Sequence, residues 1–237
     1  MLILSGQSSK VGIASRVAIA ALSLLLGGAL LFLSVPRLIA EVIMLPGNRV
    51  LAMVQSGSVP SDRDLEILAA SRQRAFSWSD TAQSRIDLAL AQLLVTRKVL
   101  RSGPEYQTQV TAAIQSLRDG LARAPADPYA WTRLAYLSVS AAEPSRRVVP
   151  LLEMAIRTAP VEPNLTFARL ELCFIEWGDF PPSDQPLLAQ QLRIAWHQSG
   201  DRLVRLAQET GRTEEIFNAL PQPDRARFEE RLAAGAH

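Results

Sequence analysis

The pattern of apolar and polar positions divides the chain into two regimes. From Val17 to Val35, nineteen consecutive positions carry no charge, and the polar interruptions are only Ser23, Ser34 and the small pair Gly27–Gly28. At about 1.5 Å per residue, a helix of that length is roughly 28 Å long, close to the hydrocarbon thickness of a bilayer. Beyond residue 60 the pattern changes. Apolar residues recur there at three- and four-residue intervals, Ala and Leu dominate, and strand-like alternation is absent. The expected fold is all-α: one transmembrane helix followed by helix pairs. The helices are predicted over 61–78, 80–98, 105–124, 127–141, 145–159, 162–177, 184–198, 200–210, 213–219 and 222–234.

Helix punctuation supports these boundaries. Ser61 with Asp64 forms a capping pair for the first helix, and Asp80 is placed to cap the second. Ile86, Leu90, Leu93 and Leu94 line one face of that second helix, which runs to Lys98, and Arg101-Ser102-Gly103-Pro104 ends the unit. Pro150 and Pro186 fall at early-turn positions, where proline is tolerated. Residues 36–60 read as a separate juxtamembrane section. Leu38, Ile39, Val42, Ile43 and Leu45 form the apolar side of a short helix opposite Arg37 and Glu41. Pro46-Gly47 is expected to break it before a second apolar patch from Val50 to Val54. Two placements stay open for this section: folded back onto the domain core, or lying on the bilayer or on a partner's membrane helices. The resulting organisation is a short tail over 1–16, the span over 17–35, the juxtamembrane section over 36–60 and a helical domain over 61–237.

The span reads as a retained anchor. A cleaved signal has an apolar region of about 7–15 residues followed by small residues spaced as A-x-A. Here the exit is Ser34-Val35-Pro36-Arg37-Leu38-Ile39-Ala40, which lacks that pair. Lys10 and Arg16 precede the span and Arg37 follows it, so the basic excess puts the N-terminus in the cytoplasm and the helical domain outside it. Within the span, Ser23 and Gly27 form a small-xxx-small pair, with Gly28 beside it, suited to close lateral packing against another membrane helix.

Charge and chemistry narrow the function. The pI near 9.0 suggests nucleic acid, yet two of the 25 basic residues precede the span while all 23 acidic residues follow it. The part beyond the span is therefore formally neutral and lacks the basic excess that non-specific nucleic-acid binding needs. Arginine far outnumbers lysine, as in GC-rich bacterial coding sequences. Cys173, the single cysteine, excludes an intrachain disulfide and a Cys-rich zinc site. It lies in the apolar run Leu170 to Ile175 and reads as a small buried thiol. His197 and His237 are forty residues apart, with no spacing that predicts a dyad or metal site, and His197 reads as a helix-end residue. The Asn164-Leu165-Thr166 acceptor motif has no bearing on a bacterial protein. No catalytic motif, cofactor or metal is expected.

An internal repeat carries the most information beyond the span. Ala124-Pro125-Ala126-Asp127-Pro128 returns as Ala159-Pro160-Val161-Glu162-Pro163, 35 residues later. Leu117, Leu121 and Ala124 return at the same offset as Leu152, Ile156 and Ala159. A two-helix unit of about 34 residues is the period of a tetratricopeptide array. Pro128 to Ala135 resembles that family's first helix, with Trp131, Leu134 and Ala135 at its aromatic, leucine and small positions; with one residue inserted in the turn around Glu143-Pro144, Ala155 and Pro160 match its later alanine and closing proline. The next unit is degenerate: offset 35 sets Thr166 and Arg169 against Trp131 and Leu134, whereas offset 36 sets Phe167 and Leu170 there. Gly178-Asp179-Phe180 resembles the family's inter-helix turn.

The resemblance implies stacked helix pairs and a concave face lined by Tyr129, Thr132 and Tyr136, a groove for a peptide or partner helix. More loosely, the segment Ala195 to Ala207 in a single-span helical protein is similar to accessory proteins of bacterial surface-polysaccharide assembly. The expectation is a non-enzymatic scaffold in the bacterial inner membrane. It would dock a membrane-associated protein partner on the periplasmic side. The alternative is a small subunit of an integral membrane complex, held by the span and the juxtamembrane section.

Overall fold

The computed structural model describes residues 7–96 and 103–234. The first six residues of the tail, the predicted helix end at Lys98, the Arg101–Ser102 joint and His237 lie outside the described residues. Among the described residues all regular structure is helical, in ten α-helices and two short 3-10 turns, as the hydrophobic periodicity predicts. The chain forms two compact units, residues 1–80 and 81–237.

The first unit is a hairpin of two unequal helices. Helix α1 (Gln7–Gln55) is 49 residues long, about 73 Å, and passes through Pro36 and Pro46 without ending. This corrects the expected break at Pro46-Gly47 and makes the juxtamembrane section a continuation of the same helix. A proline removes one intrahelical hydrogen bond but leaves its neighbours' bonds in place. Packing then decides the outcome, because Ala40, Met44, Gly47 and Val50 recur every three or four residues and are buried.

Helix α2 (Asp62–Ala75) packs along this stripe. Gly47 is a close-approach residue rather than a breaker: a Cβ there would meet Ser71 Oγ, and would lie 2.8 Å from Arg72 Nη1. The helix stops at Gln55, and two residues on Gly57 takes a left-handed φ of 81°. There the amides of Ser58 and Gly57 donate to Met53 O and Val54 O at 3.0 and 3.1 Å, the paired bonds of a glycine-terminated helix end.

The predicted capping box opens α2. Ser61 Oγ accepts from Asp64 N at 3.2 Å while Asp64 Oδ2 accepts from Ser61 N at 2.9 Å. Ala75 meets Ala40 and Met44 in one apolar cluster, whereas Leu68 and Ser71 meet Gly47, so α2 runs antiparallel to α1. Arg72 ties the pair together from a fully buried position, 1% exposed. Its Nη1 donates to Met44 O at 3.0 Å and its Nη2 to Asn48 Oδ1 at 2.7 Å.

The second unit stacks consecutive helix hairpins. Helix α3 (Ala82–Thr96) pairs with α4 (Pro104–Leu121), α5 (Pro128–Ser140) with α6 (Ser145–Thr158), and α7 (Pro163–Ile175) with α8 (Gln185–Thr210). Short helices α9 (Thr213–Ala219) and α10 (Gln222–Ala234) close against α8. Helix α2 thus belongs with α1, and α3 with α4. The helices predicted over 61–78 and 80–98 therefore do not pair with each other: α2 packs on the extension of the span and α3 on α4.

Three further boundaries are informative. Helix α8 is kinked at Ser199 (φ −163°, ψ 92°), where the sequence pattern separates 184–198 from 200–210. Thr81 Oγ1 accepts from Ser84 N at 3.2 Å, so the residue after Asp80 performs the capping of α3. Pro150 is interior to α6 rather than in its first turn. It stays exposed, as does Arg146, the residue whose carbonyl the proline leaves without an intrahelical N–H donor.

Candidate functional site

The repeat places two equivalent helix starts beside each other. Asp127 caps α5, its Oδ1 accepting from Ala130 N at 2.9 Å, and Pro128 follows in the first turn. Glu162 caps α7, its Oε1 accepting from Asn164 N at 3.4 Å, and Pro163 follows in the same place. Both helices have 13 residues, and the 35-residue offset holds at their caps. Leu117 and Leu152, and Leu121 and Ile156, are buried at matching positions of α4 and α6.

That register aligns Leu134 with Arg169, and the structure accommodates the charge. Arg169 is fully buried, 0% exposed, on the apolar face of its helix beside Leu165, Phe167 and Leu170. Its Nη1 donates to Ala159 O at 2.7 Å and its Nε to Thr132 Oγ1 at 3.3 Å; Nη2 is buried without a partner. Burial pulls the guanidinium below its usual range, opposed by the charge of Glu162. On the neighbouring carbonyl, Pro160 O accepts from Gln191 Nε2 at 2.7 Å. One joint between helices therefore receives two buried side chains from α7 and α8.

The three predicted groove residues have different fates. Tyr129 is half-buried and its hydroxyl donates to Glu162 Oε1 at 2.9 Å, while Asn164 Nδ2 donates to Glu162 Oε1 at 3.2 Å. The Arg133 guanidinium lies 5.9 Å from the Tyr129 ring centroid. Burial lowers the Arg133 pKa, opposed by Asp127 and Asp87. Thr132 is buried rather than groove-lining, because its hydroxyl donates to Pro128 O at 2.7 Å and accepts from Arg169. Tyr136 is half-buried between two core clusters, with helices α3 to α5 on one side and α5 to α8 on the other. The half-buried surface of α5 at this point is thus Tyr129, Arg133 and part of Tyr136.

Trp131 serves as packing and as a latch: its Nε1 donates to Pro125 O at 2.7 Å, and the ring packs against the α3–α5 cluster. Sequence reasoning missed Glu162, Arg133 and Arg169 as members of this cluster. For Arg169 a signal was present, since an arginine inside Leu165 to Phe174 must either leave the core or find carbonyls.

Other candidates separate cleanly. Cys173 is buried and its thiol is pushed up to about 12 by desolvation, so it stays protonated at neutral pH. His197 is exposed. Among the described residues no group of three or more His, Cys, Asp or Glu side chains gathers to hold a metal.

On α1, residues from Ala18 to Val54 form the described segment long and apolar enough to cross a membrane, near the N-terminus. Ser23, Gly27 and Gly28 are exposed on it, and a Cβ at either glycine would meet nothing within 4 Å. A shallow recess of about 570 Å³ lies on the α1–α2 hairpin among Val42, Leu45, Pro46, Arg49, Val50, Asp64 and Ile67. A smaller one of about 290 Å³ lies in the second unit among Trp177, Gln185, Ala189, Leu192, Glu215, Asn218 and Ala219. No protein-family model matches this chain, and no curated protein matches it in sequence.

Proposed function

We propose that the chain is a retained, membrane-anchored helical scaffold that docks a protein partner in the bacterial envelope. One observation carries this reading. Between Ile19 and Val35, ten large apolar side chains are exposed, including Leu24 at 80% and Phe32 at 78%. Covering them gains about 1.5–3 kcal/mol each, a total that exceeds the 5–15 kcal/mol stability of an ordinary domain. Such a helix needs an apolar surround, and the bilayer matches its length. Retention is supported by continuity. Residues 36–40, where processing would follow the span, are helical, and Ala40 is buried against α2. The basic flank at Arg16 supports a cytoplasmic N-terminus and a periplasmic platform.

The capped, proline-started helices at a 35-residue offset support a tetratricopeptide-like array, whose role is docking rather than catalysis. The docking surface is the edge of α5 bearing Tyr129, Arg133 and Tyr136, where aromatic and guanidinium groups offer large contact area at low entropy cost. The membrane raises the local concentration of this surface, so weak contacts suffice. Service to surface-polysaccharide assembly is the narrower form of the proposal, resting on the Ala195–Ala207 segment.

A second reading has its own observation. Leu31, Val35, Leu38, Val42 and Leu45 recur at three- and four-residue steps along α1, and all are at least 45% exposed. That stripe suits a subunit of an integral membrane complex.

The test is co-purification from solubilised membranes with residues 18–35 exchanged for an unrelated span. The scaffold reading expects partner capture to survive the exchange and to fall on Tyr129→Ala in a protein that keeps its helical circular dichroism. Capture that disappears with the native span, and ignores Tyr129→Ala, would replace the scaffold by the membrane-subunit reading.

A further inference from the structure

The α1–α2 hairpin brings a second segment back to the point where the span ends. The first charge after the span is Arg37, and Ala40 stands three residues further, about 4.5 Å along the axis. Helix α2 runs back toward that level, and its last residue, Ala75, packs on Ala40 and Met44. The chain then continues in helical turns. Trp78 N and Ser79 N both donate to Ala75 O, at 3.0 and 2.9 Å, so Trp78 lies about one further turn toward the membrane side. Counted along the helices from the Ala75–Ala40–Met44 contact, that is near the level of residues 37–40 of α1. There Trp78 is 49% exposed, unlike most tryptophans in a folded chain, and exposed Arg74 and Ser77 flank it.

A tryptophan with an apolar body and one N–H donor is suited to the headgroup layer of a bilayer, a zone about 5–7 Å deep on each side of the hydrocarbon. Arg37 and Arg74 supply cations within about one helical turn of that level, with Glu41 and Asp80 the exposed carboxylates nearby. We infer that Trp78, with Arg74 and Arg37, is a second membrane contact that seats the hairpin against the phospholipid headgroups at the exit of the span. The inference rests on the retained-anchor reading and extends it: the membrane fixes the tilt and rotation of α1 as well as its position. A single span leaves a rod free to rotate about its axis, whereas a contact displaced from that axis by the width of a second helix does not.

The experiment uses the full chain reconstituted into vesicles of phosphatidylcholine with a minor share of phosphatidylglycerol. Trp78→Cys is labelled with an environment-sensitive fluorophore; buried Cys173 gives the unlabelled background, checked on the unmutated protein. Glu66→Cys, twelve residues earlier on the exposed side of α2 and about 18 Å farther from the span exit, is the reference position. The expected result is co-flotation of protein and vesicles. At position 78 the label shifts its emission to the blue, is quenched by spin labels in the headgroup region and is protected from aqueous iodide. The label at position 66 shows the opposite. Co-flotation with both positions equally open to iodide would overturn the headgroup contact and leave the anchor standing. Protein that does not float with the vesicles would overturn the anchor, and this inference with it.

Discussion

The two units of this protein each bury one arginine completely, and they do it differently. In the α1–α2 hairpin, Arg72 lies across the helix interface and reaches a carbonyl and an amide side chain on the partner helix, Met44 O and Asn48 Oδ1. In the helical stack, Arg169 sits where the preceding repeat has Leu134, reaches one carbonyl and one hydroxyl, and leaves Nη2 without a partner. The first arginine is part of the design of a two-helix unit too small to have a deep apolar core. The second is a charge admitted into a core already built by Leu170, Phe167, Leu165 and their neighbours. Small units rely on polar cross-links, whereas larger ones tolerate a misfit and satisfy it locally.

The largest effect expected from breaking this contrast comes from Arg169→Ala. It leaves a cavity, removes the donor to Ala159 O and frees the Thr132 hydroxyl, for a cost of about 3 kcal/mol. Hydrogen exchange should locate the loss in α5 to α8. Arg72→Ala should instead deprotect α2 and residues 40–55, leaving α5 to α8 protected. Arg169→Leu sharpens the comparison, because it restores the repeat's own residue type and should recover most of the stability that Arg169→Ala loses. Arg169→Leu as damaging as Arg169→Ala would mean that the guanidinium's bonds, rather than its volume, hold the joint.

Next in size is Gly47→Val. The added side chain collides with Ser71 and Arg72 in the tightest part of the hairpin, for about 1–3 kcal/mol. Thermal unfolding followed by a probe on α2 should shift, while a probe on α6 should not. Equal shifts at both probes would show that the hairpin and the stack unfold as one cooperative body.

The contrast also explains what the amino-acid pattern disclosed. In the stack, each helix closes on its own punctuation: capping carboxylates at Asp127 and Glu162, prolines at the first turn, a break at Ser199. These are local signals, and local structure follows them within one to three residues. In the hairpin the local signal misleads. Pro46-Gly47 is a turn dipeptide by composition, but here the glycine admits α2 and the proline is carried by packing from residues 20 to 30 positions away. The candidate site was legible only in part. Tyr129 and Tyr136 are singled out by the resemblance to a tetratricopeptide first helix, whereas the burial of Thr132 depends on an arginine 37 residues later.

A gain is expected from Ala142→Gly, which tests the turn between α5 and α6. Ala142 has φ 53°, and the surrounding amides of Ala142 and Glu143 donate to Val139 O and Ser138 O, both at 2.9 Å. The hairpin ends α1 with the same pair of bonds around Gly57, where the left-handed conformation carries no Cβ penalty. Giving the stack the hairpin's residue should stabilise it by up to about 1 kcal/mol, seen as a raised denaturant midpoint with an unchanged slope.

The smallest effect separates the units by pH. Glu153, on α6, is held above the ordinary carboxyl range by burial first, then by its hydrogen bond to Asp184 and the charge there, with Arg157 opposing. A raised folded value means that the protonated carboxyl favours the fold. Its stabilisation is fully present below the unfolded carboxyl value and is lost as pH rises through the folded value. Glu153→Gln keeps the neutral hydrogen-bonding group at every pH. It should therefore match the parent near about pH 3.5 and melt about 1–2 °C higher near about pH 7.5. The shift should appear in the stack, where Asp184 and Arg157, the groups that act on Glu153, both lie. A melting difference of the same size at both pH values would mean that Glu153 acts through shape rather than through its proton.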